Sequence, residues 1–524
     1  MTDEQPISRR AVREAEAALA RAPHGGAGGG AADGGSGGTT GGGEPPKPSG
    51  VGAMFRAHPL AWLLGAIGVV FALLGTGAVF AGVAFASTPV PVAAPTTTPT
   101  TAPPRPTPSV LPTASRLRTC SVAGPAADSR LMTLTGSVVR SDNGEVLWDH
   151  QASAPASTAS TLKLLIASAA VAVLGADYQI ATDVVDGSTP GTVVLVGHGD
   201  ATLSALPPGQ DSVYTGAPKL SDLASQVIAA YATKHPGVPI TQLVLDASYW
   251  NIADRWDASW KRTEQTQGYQ SEVTALQVDG DRANPTQETS ARSTDPVGRA
   301  GAAFIAALQS ADTGGVVAGT VTTSSGSAVS GATPLGEVKS QPLRTLIKQM
   351  LLPSDNTLGE MLARITSKAS GLNGSAASLQ QAIPSALSTL ATPIPAAGLK
   401  IIDGSGESAN NQVPPATMTA LLRQIQAGSS NLDVVRDGLS IAGQTGSLAS
   451  RFTGPNAIAR GKVAAKTGWI DTEYSLAGTV TAADGTVLEF TFYAIGNGIK
   501  STAKVALDTL TTAVYSCGDN LSNN

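Results

Sequence analysis

The hydrophobic pattern divides the chain into a polar N-terminal tail, one long apolar run, a proline-rich stretch and a large C-terminal region. Residues 1–58 are polar, and 12 of the 19 residues from Gly25 to Gly43 are glycine, a composition that cannot offset the entropy lost on ordering. The next segment, residues 59–86, includes 27 residues without a charge from Leu60 to Ala86, whereas a bilayer needs about 20. The pattern therefore predicts a disordered tail and a transmembrane helix, with a buried globular helix as the alternative.

Charges on either side of the apolar run predict its orientation. Lys47 and Arg56 precede it, and the first charge after it is Arg105, so we expect the N-terminus in the cytoplasm and the C-terminal region outside the cell membrane. Ala84-Phe85-Ala86 has the form of a signal-peptidase site, but the run is longer than a usual signal peptide, which favours an uncleaved anchor. Residues 87–114 hold nine prolines and eight threonines and are expected to form an extended linker.

Composition excludes several function classes. The formal net charge is -5, from 34 Lys+Arg and 39 Asp+Glu, and no basic stripe is present, which argues against a nucleic-acid partner. The five histidines and two cysteines form no zinc-binding spacing, so neither a metal nor another cofactor is expected. Cys120 and Cys517 stand at the two ends of the C-terminal region. Outside the cytoplasm they are expected to form a disulfide, and two separate buried thiols are the alternative.

A first candidate site lies where small polar residues give way to an apolar helical pattern, between Ala154 and Leu174. Ser160 and Lys163 stand at this boundary, and residues three apart share a helix face, so the hydroxyl and the amine can meet. A serine becomes a nucleophile when a base takes its proton, and a desolvated lysine can be that base. Alone, an S-x-x-K motif is unspecific. Ser157 does not belong to it, because the residue three positions later is Ser rather than Lys.

A second candidate site is Ser354-Asp355-Asn356, which opens another apolar helical stretch. A Ser-x-Asn pair can present a hydroxyl and an amide to one cleft. The alternative is a simple helix cap, a position at which Ser and Asp are favoured. Glu360 and Arg364, farther along the same stretch, are expected to form an exposed i,i+4 ion pair.

A third candidate site is Lys466-Thr467-Gly468, in a region where apolar and polar residues alternate. The alternation predicts consecutive antiparallel strands, with a turn at Asp484-Gly485. A lysine, a hydroxyl and a glycine at a strand edge can bind an anion and let a substrate backbone approach closely.

In this order, S-x-x-K, S-D-N and K-T-G are the joint signature of penicillin-binding proteins and class A β-lactamases. The region from Ser115 to Asp519 resembles the D-Ala-D-Ala carboxypeptidase/endopeptidase family of penicillin-binding proteins, the DacB type of peptidase family S13. Four further segments resemble motifs of that family. They are Val196–Leu203 (G-x-GD-P-T-L, with Ala201 in place of proline), Ser340–Leu343 (S-P-P-L), Asp403–Gly406 (D-G-S-G), and Ala442–Leu448 with Arg451 (G-x-x-G-T-L…R).

The resemblance implies an α/β (α+β) fold of the serine β-lactamase/transpeptidase type, with a central antiparallel sheet and helices on both of its sides. Ser160 and Ser354 are 194 residues apart, so an inserted domain is expected between them. We expect residues 115–176 and 338–524 to form the catalytic domain and residues 177–337 to form the inserted domain.

The resemblance also implies a serine acyl-enzyme mechanism on peptidoglycan stem peptides. Ser160 would attack the carbonyl of the penultimate D-alanine, with Lys163 as its base. Ser354, between Lys163 and Lys466, would pass the proton to the departing D-alanine. Backbone N–H groups of Ser160 and Trp469 would form the oxyanion hole. Water would then release the product, whereas a β-lactam would acylate the same serine and stay bound as a covalent inhibitor.

Substrate-binding roles follow from the same resemblance. Asn356 would hold the peptide amide of the substrate, and Lys466 and Thr467 would bind its terminal carboxylate beside Gly468. The family commonly has a small hydroxyl residue where this chain has Trp469, so one side-chain contact to that carboxylate is expected to be missing.

Two functions of different classes fit these motifs. A membrane-anchored D,D-peptidase of the cell wall is favoured, because all three motifs are intact. The alternative is a penicillin-binding scaffold of the cell wall with little turnover. Trp250, Trp256 and Trp260 are expected to pack in the protein interior, and the alternative for them is a glycan-stacking patch.

Overall fold

The computed structural model describes residues 116–523, which form two β-sheets surrounded by helices. In chain order the strands are β1 (Thr133–Arg140), β2 (Val146–His150), β3 (Ala181–Asp186), β4 (Thr192–Gly197), β5 (Ile240–Asp246), β6 (Val317–Ser325), β7 (Pro334–Lys339), β8 (Ser440–Ile441), β9 (Val463–Ile470), β10 (Glu473–Thr481) and β11 (Val487–Ile495). The α-helices are α1 (Ala123–Ala126), α2 (Lys163–Leu174), α3 (Leu220–Lys234), α4 (Thr263–Thr266), α5 (Pro296–Ala311), α6 (Leu343–Leu351), α7 (Asn356–Ala369), α8 (Leu379–Leu387), α9 (Pro415–Ala427), α10 (Asp433–Arg436) and α11 (Ala503–Cys517).

The first sheet has six strands in the order β2-β1-β11-β10-β9-β8, and every neighbouring pair is antiparallel. Side chains alternate between its two faces. Leu476 and Val480 of β10 share a core with helix α11, whereas Ala477 shares a core with helices α2 and α9. The sheet therefore carries helices on both sides, as the sequence predicts. The predicted turn at Asp484-Gly485 connects β10 and β11, which pair as an antiparallel hairpin.

Helix α2 is the central helix on one side of this sheet. Its sequence, KLLIASAAVAVL, is apolar on every face, and such a helix is buried all round rather than amphipathic. Residues from Lys163 to Val171 are buried accordingly, and α2 packs against α7, α8 and α9. This packing fixes the start of α2, where the S-x-x-K motif lies.

The second sheet is mixed and has the strand order β6-β5-β4-β3-β7. Strands β4, β5 and β6 are parallel and are connected through α3 and α5, as parallel neighbours require. Its separate core includes Val193, Leu243 and Phe304. The segment between β5 and α5 instead packs against the helices beside the first sheet, through Trp250 and Val273.

Two of the three tryptophans after β5 pack in the interior. Trp250 and Trp260 are 2% and 5% exposed, which confirms the packing interpretation for these two. Trp256 is half-buried, and the guanidinium of Arg262 lies 4.2 Å from its ring centroid. The indole N–H of Trp260 donates to Asp403 Oδ2 at 2.9 Å, so this segment also contacts the D-G-S-G loop.

The predicted tail, transmembrane helix and linker lie outside the described residues. Among residues 116–523, no helix combines the length and the apolar character needed to cross a membrane. Cys120 and Cys517 are joined by a disulfide. Beside it, Cys120 N–H donates to the carbonyl of Asn520 at 3.1 Å, so the first and last described segments lie together.

Candidate active site

Ser160 and Lys163 meet at the start of α2. Ser160 lies in a 3-10 turn, Ala159–Leu162, and Lys163 is the first residue of the helix. In a 3-10 turn side chains three residues apart eclipse one another, and Lys163 Nζ lies 3.0 Å from Ser160 Oγ. The sequence predicts this pair on a regular helix, whereas the structure forms it across the junction of the turn and the helix.

The amine of Lys163 contacts acceptors from three segments. Besides Ser160 Oγ, it donates to Asn356 Oδ1 at 2.8 Å and to the backbone carbonyl of Ser405. Lys163 is fully buried, while Ser160 is half-buried. A neutral amine has two N–H bonds and one lone pair. With Asn356 and Ser405 as acceptors for the N–H bonds, the lone pair can face the Ser160 hydroxyl.

The S-D-N motif caps helix α7 and also contributes side chains to the site. Asp355 is the N-cap of α7, and its Oδ1 accepts from Leu358 N–H at 2.9 Å. Ser354, which has a left-handed φ of 64°, accepts from Lys466 Nζ at 2.8 Å, and Asn356 contacts Lys163. Asp355 is therefore the helix cap, whereas Ser354 and Asn356 present their side chains to the site.

A buried ion pair holds the cap in place. Arg282 Nη2 donates to Asp355 Oδ2 at 2.6 Å, and both side chains are almost completely buried. Tyr214 accepts from Arg282 Nη1 at 2.7 Å and donates to Asp355 Oδ2 at 3.0 Å. Both partners come from the segment between the first and second motifs, and sequence reasoning identified neither of them.

The K-T-G motif lies on β9, next to the turn that carries Ser160. Lys466 is fully buried and also donates to its neighbour's carbonyl, that of Thr467, at 2.7 Å. Glycine is needed at position 468 because a Cβ there would lie 2.9 Å from the carbonyl oxygen of Thr158 and 3.0 Å from Ala159 Cβ. The strand edge can therefore pass directly over the residues that precede Ser160.

Thr467 contacts a serine hydroxyl, whereas Trp469 lies beside an aromatic ring. The Thr467 hydroxyl donates to Ser447 Oγ at 2.8 Å. Trp469 is half-buried, with its ring centroid 6.3 Å from that of Tyr474. Ser447 was noted in the sequence only as part of the G-x-x-G-T-L segment, and the structure places its hydroxyl beside the predicted carboxylate-binding threonine.

The D-G-S-G loop contacts Lys163 through the backbone carbonyl of Ser405. Glu360 Oε1 accepts from the N–H groups of Gly404 and Ser405 at 3.0 and 2.8 Å, and Ser405 presents its carbonyl to Lys163. Burial, and then the nearby Asp403 carboxyl, raise the pKa of Glu360 to about 7. This loop was recognised in the sequence as a family motif, but its contact with the lysine was not predicted.

The expected exposed pair Glu360–Arg364 is wrong. The two residues are 1% and 2% exposed, because the loop covers one face of α7 and the segment after β5 covers the other. Arg364 instead pairs with Asp254 at 2.8 Å and donates to the carbonyl of Gly374 at 2.9 Å. Spacing alone cannot tell a surface pair from two buried side chains that have separate partners.

Glu407 is a further polar residue of the site that sequence reasoning missed. Asn356 Nδ2 donates to Glu407 Oε2 at 3.0 Å, so the amide group is held at both ends, with its oxygen towards Lys163. Glu407 directly follows the D-G-S-G segment and is half-buried.

A serine hydroxyl next to a buried lysine, together with a second Ser–Lys contact between Ser354 and Lys466, is the arrangement of the serine acyl-transfer enzymes that use lysine as the base. The model of the D-Ala-D-Ala carboxypeptidase 3 (S13) family matches residues 119–292 and 282–514. The chain belongs to this family.

Relatives with established names agree with this assignment. The chain is 35% identical over 416 residues to the carboxypeptidase DacB of Mycolicibacterium smegmatis, covering 78% of this chain and 85% of that one. It is 28% identical to the D-alanyl-D-alanine carboxypeptidase of Actinomadura sp., covering 71% of this chain and 78% of that one. The crystal structure of penicillin-binding protein 4 (dacB) from Haemophilus influenzae superimposes with a TM-score of 0.59 at 19% identity, covering 73% and 95% of the two chains, and supports the fold.

Proposed function

We propose that the protein is a penicillin-binding D,D-peptidase that hydrolyses the D-Ala-D-Ala bond, or D,D-cross-links, of peptidoglycan stem peptides through an acyl-enzyme on Ser160. The observation that carries the proposal is the environment of Lys163. Its amine is buried, lies 3.0 Å from Ser160 Oγ, and has Asn356 and Ser405 as acceptors for two N–H bonds. Such an amine can accept the serine proton and hold it during attack.

The remaining groups of the site can complete the reaction cycle. Lys163 takes the proton of Ser160 as Oγ attacks the carbonyl carbon, and the backbone N–H groups of Ser160 and Trp469 stabilise the oxyanion. Ser354, held by Lys466, gives its hydroxyl proton to the departing amine and takes in exchange the proton that Lys163 received from Ser160. Water then attacks the ester, and the regenerated enzyme releases the shortened peptide.

Three groups can hold the substrate in position for this chemistry. Asn356 has a second N–H bond available for a substrate carbonyl beside its contact with Glu407. Lys466 and Thr467 form a cation and hydroxyl pair suited to a C-terminal carboxylate. Gly468 keeps the strand edge close to the nucleophile, so an extended peptide can lie along β9.

The test is release of D-alanine from a synthetic stem peptide that ends in D-Ala-D-Ala. Wild type and Ser157→Ala should release D-alanine, and Ser160→Ala should release none. If wild type forms a stable adduct with penicillin but releases no D-alanine, the protein is instead a penicillin-binding scaffold with little turnover. If Ser160→Ala remains active, the proposal is wrong.

We also propose the chain organisation that the sequence predicts. Residues 59–86 would span the cell membrane, with residues 1–58 in the cytoplasm, the linker 87–114 outside, and residues 177–337 as a domain inserted into the catalytic domain. The uncharged run and the charge asymmetry around it support the anchor. Protein recovered from membranes should retain its native N-terminus, whereas a mature terminus at Ser87 would show that the segment is cleaved.

A further inference from the structure

Glu407 is an acid of the site that no step of the proposed mechanism uses. It directly follows the D-G-S-G segment, is half-buried, and accepts from Asn356 Nδ2 at 3.0 Å. The proposed substrate ends in a carboxylate, so a further negative charge near the cleft opposes its binding. The presence of Glu407 therefore needs another physical reason.

The loop that carries Glu407 is held by a buried carboxylate. Asp403 is 1% exposed and accepts from the N–H groups of Gly406 and Ser408 at 2.8 and 2.7 Å. These two residues flank Glu407 in the sequence. Asn411 Nδ2 also donates to Asp403, at 2.8 Å. The backbone on both sides of Glu407 is thus fixed by hydrogen bonds.

The same loop packs against the turn that carries Ser160. Gly406 has a left-handed φ of 78°, and a Cβ at this position would overlap the carbonyl oxygen of Ala159. Only glycine allows so close an approach at this φ. Glu407 therefore extends from a fixed loop that touches the residue directly before the nucleophile.

Asn356 connects Glu407 to the proposed base. Its Oδ1 accepts from Lys163 Nζ at 2.8 Å, while its Nδ2 donates to Glu407. Lys163 Nζ in turn lies 3.0 Å from Ser160 Oγ. A continuous series of hydrogen bonds thus leads from the Glu407 carboxyl to the nucleophile.

The orientation of the Asn356 amide in this series depends on Glu407. An ionised carboxylate can only accept hydrogen bonds, whereas a side-chain amide has one donor end and one acceptor end. Glu407 therefore requires the donor end, which leaves the acceptor end for Lys163. In the reverse orientation the amide oxygen would face the carboxylate oxygen, and that hydrogen bond would be lost.

The reverse orientation would also disable the base. Asn356 Nδ2 would then donate to the lone pair of the neutral Lys163 amine, which has to take the proton of Ser160. The N–H bond that the proposed function assigns to a substrate carbonyl would be moved away at the same time.

We propose that Glu407 is a positioning residue, which fixes the Asn356 amide with its oxygen towards Lys163 and so keeps the lone pair of that amine available to Ser160. Glu407 acts through Asn356 and makes no contact with the reacting atoms. The inference rests on the proposed function, since it concerns the reactivity of the same serine.

The test is the second-order rate of labelling by a fluorescent penicillin, measured on full-length proteins that differ at position 407. A glutamine can donate or accept, and a lysine can only donate. Glu407→Gln tolerates both amide orientations, so about half of the molecules should hold the active one and the rate should fall about twofold. Glu407→Lys favours the reverse orientation, and its rate should fall more than about tenfold.

A simple charge effect predicts the opposite result. Both variants remove a negative charge from the neighbourhood of Lys163, which favours the neutral amine. Glu407→Lys also adds a positive charge that attracts the anionic penicillin. Charge alone would therefore speed labelling, whereas loss of the amide orientation slows it.

Two controls accompany this series, with circular dichroism to confirm that each variant is folded. Glu337→Lys makes the same change in overall charge at an exposed residue of β7 that pairs with Lys339, and it should be labelled like wild type. In an Asn356→Ala background, Glu407→Lys should cause no further fall, because Glu407 acts through Asn356.

Three outcomes would overturn the inference. They are a Glu407→Gln rate at or above that of wild type, a Glu407→Lys rate at or above that of Glu407→Gln, or an equal fall for Glu407→Lys with and without Asn356. A wild type that is not labelled contradicts the proposed function and this inference together, whereas a labelled wild type with any of these three outcomes contradicts only this inference.

Discussion

At the scale of single residues, the chemistry depends on the protonation state of Lys163. A free lysine has a pKa near 10.4, and a base must be neutral. Complete burial favours the neutral amine, and so does the positive charge of Lys466, which donates to Ser354 of the neighbouring motif. Arginine at position 163 keeps the positive charge but cannot lose its proton in a protein.

Lys163→Arg should therefore leave the protein folded and abolish acylation of Ser160. The measurement is the rate of labelling by a fluorescent penicillin, with circular dichroism to confirm folding. Ser157→Ala is the matched control, because it removes a serine hydroxyl three residues before Ser160 in the sequence, and it should be labelled like wild type. A Lys163→Arg protein that reacts within about tenfold of wild type, a barrier difference of about 1.4 kcal/mol, would contradict the general-base role.

Ser447 offers a second test at this scale. Its hydroxyl lies 2.8 Å from that of Thr467, and Trp469 supplies no hydroxyl at the position where the family commonly has one. Ser447→Ala should raise KM for a peptide with a free C-terminal carboxylate by roughly 2- to 10-fold, the worth of one neutral hydrogen bond, with little change in kcat. An unchanged KM would show that Ser447 does not contribute to carboxylate binding.

At the scale of elements, the N-terminus of α7 is held by the buried pair Arg282–Asp355. Removal of one partner leaves an uncompensated buried charge, which costs about 3–5 kcal/mol. Arg282→Ala should thus lower the free energy of unfolding by that order and slow acylation, because Ser354 and Asn356 flank Asp355.

A double variant separates the ion pair from simple packing. Arg282→Met combined with Asp355→Asn removes both charges, and it should recover much of the stability lost in Arg282→Met alone. Denaturant unfolding of the three variants checks this. If the double variant is as unstable as the sum of the single changes, the two side chains are not energetically coupled.

The same elements show which parts of the fold and of the site could be predicted from the sequence. Ser160 and Lys163 were predictable because both belong to one local motif. Strands β9–β11 were predictable because apolar and polar residues alternate along them. Glu360 was misassigned because helical spacing says nothing about the loop that covers it. Arg282 was missed because it reaches the site only through tertiary packing, from a segment without a recognisable motif. Glu407 directly follows the D-G-S-G motif but is not part of it, so the motif did not mark this residue.

At the scale of the whole molecule, the disulfide between Cys120 and Cys517 closes a loop across nearly the entire described chain, with a sequence separation of 397. Closure of so long a loop contributes up to about 5 kcal/mol by restricting the unfolded state. Thiol titration of the denatured, unreduced protein should find no free thiol, and two reactive thiols would show that the bridge does not form.

The most direct test of the central claim is mass spectrometry of the full-length protein after treatment with penicillin. We expect one covalent adduct per chain, and peptide mapping should place it on Ser160. Ser160→Ala should acquire no adduct, and Ser157→Ala should acquire one as wild type does. An unmodified wild-type protein, or an adduct mapped to Ser157, would contradict the assignment of Ser160 as the nucleophile.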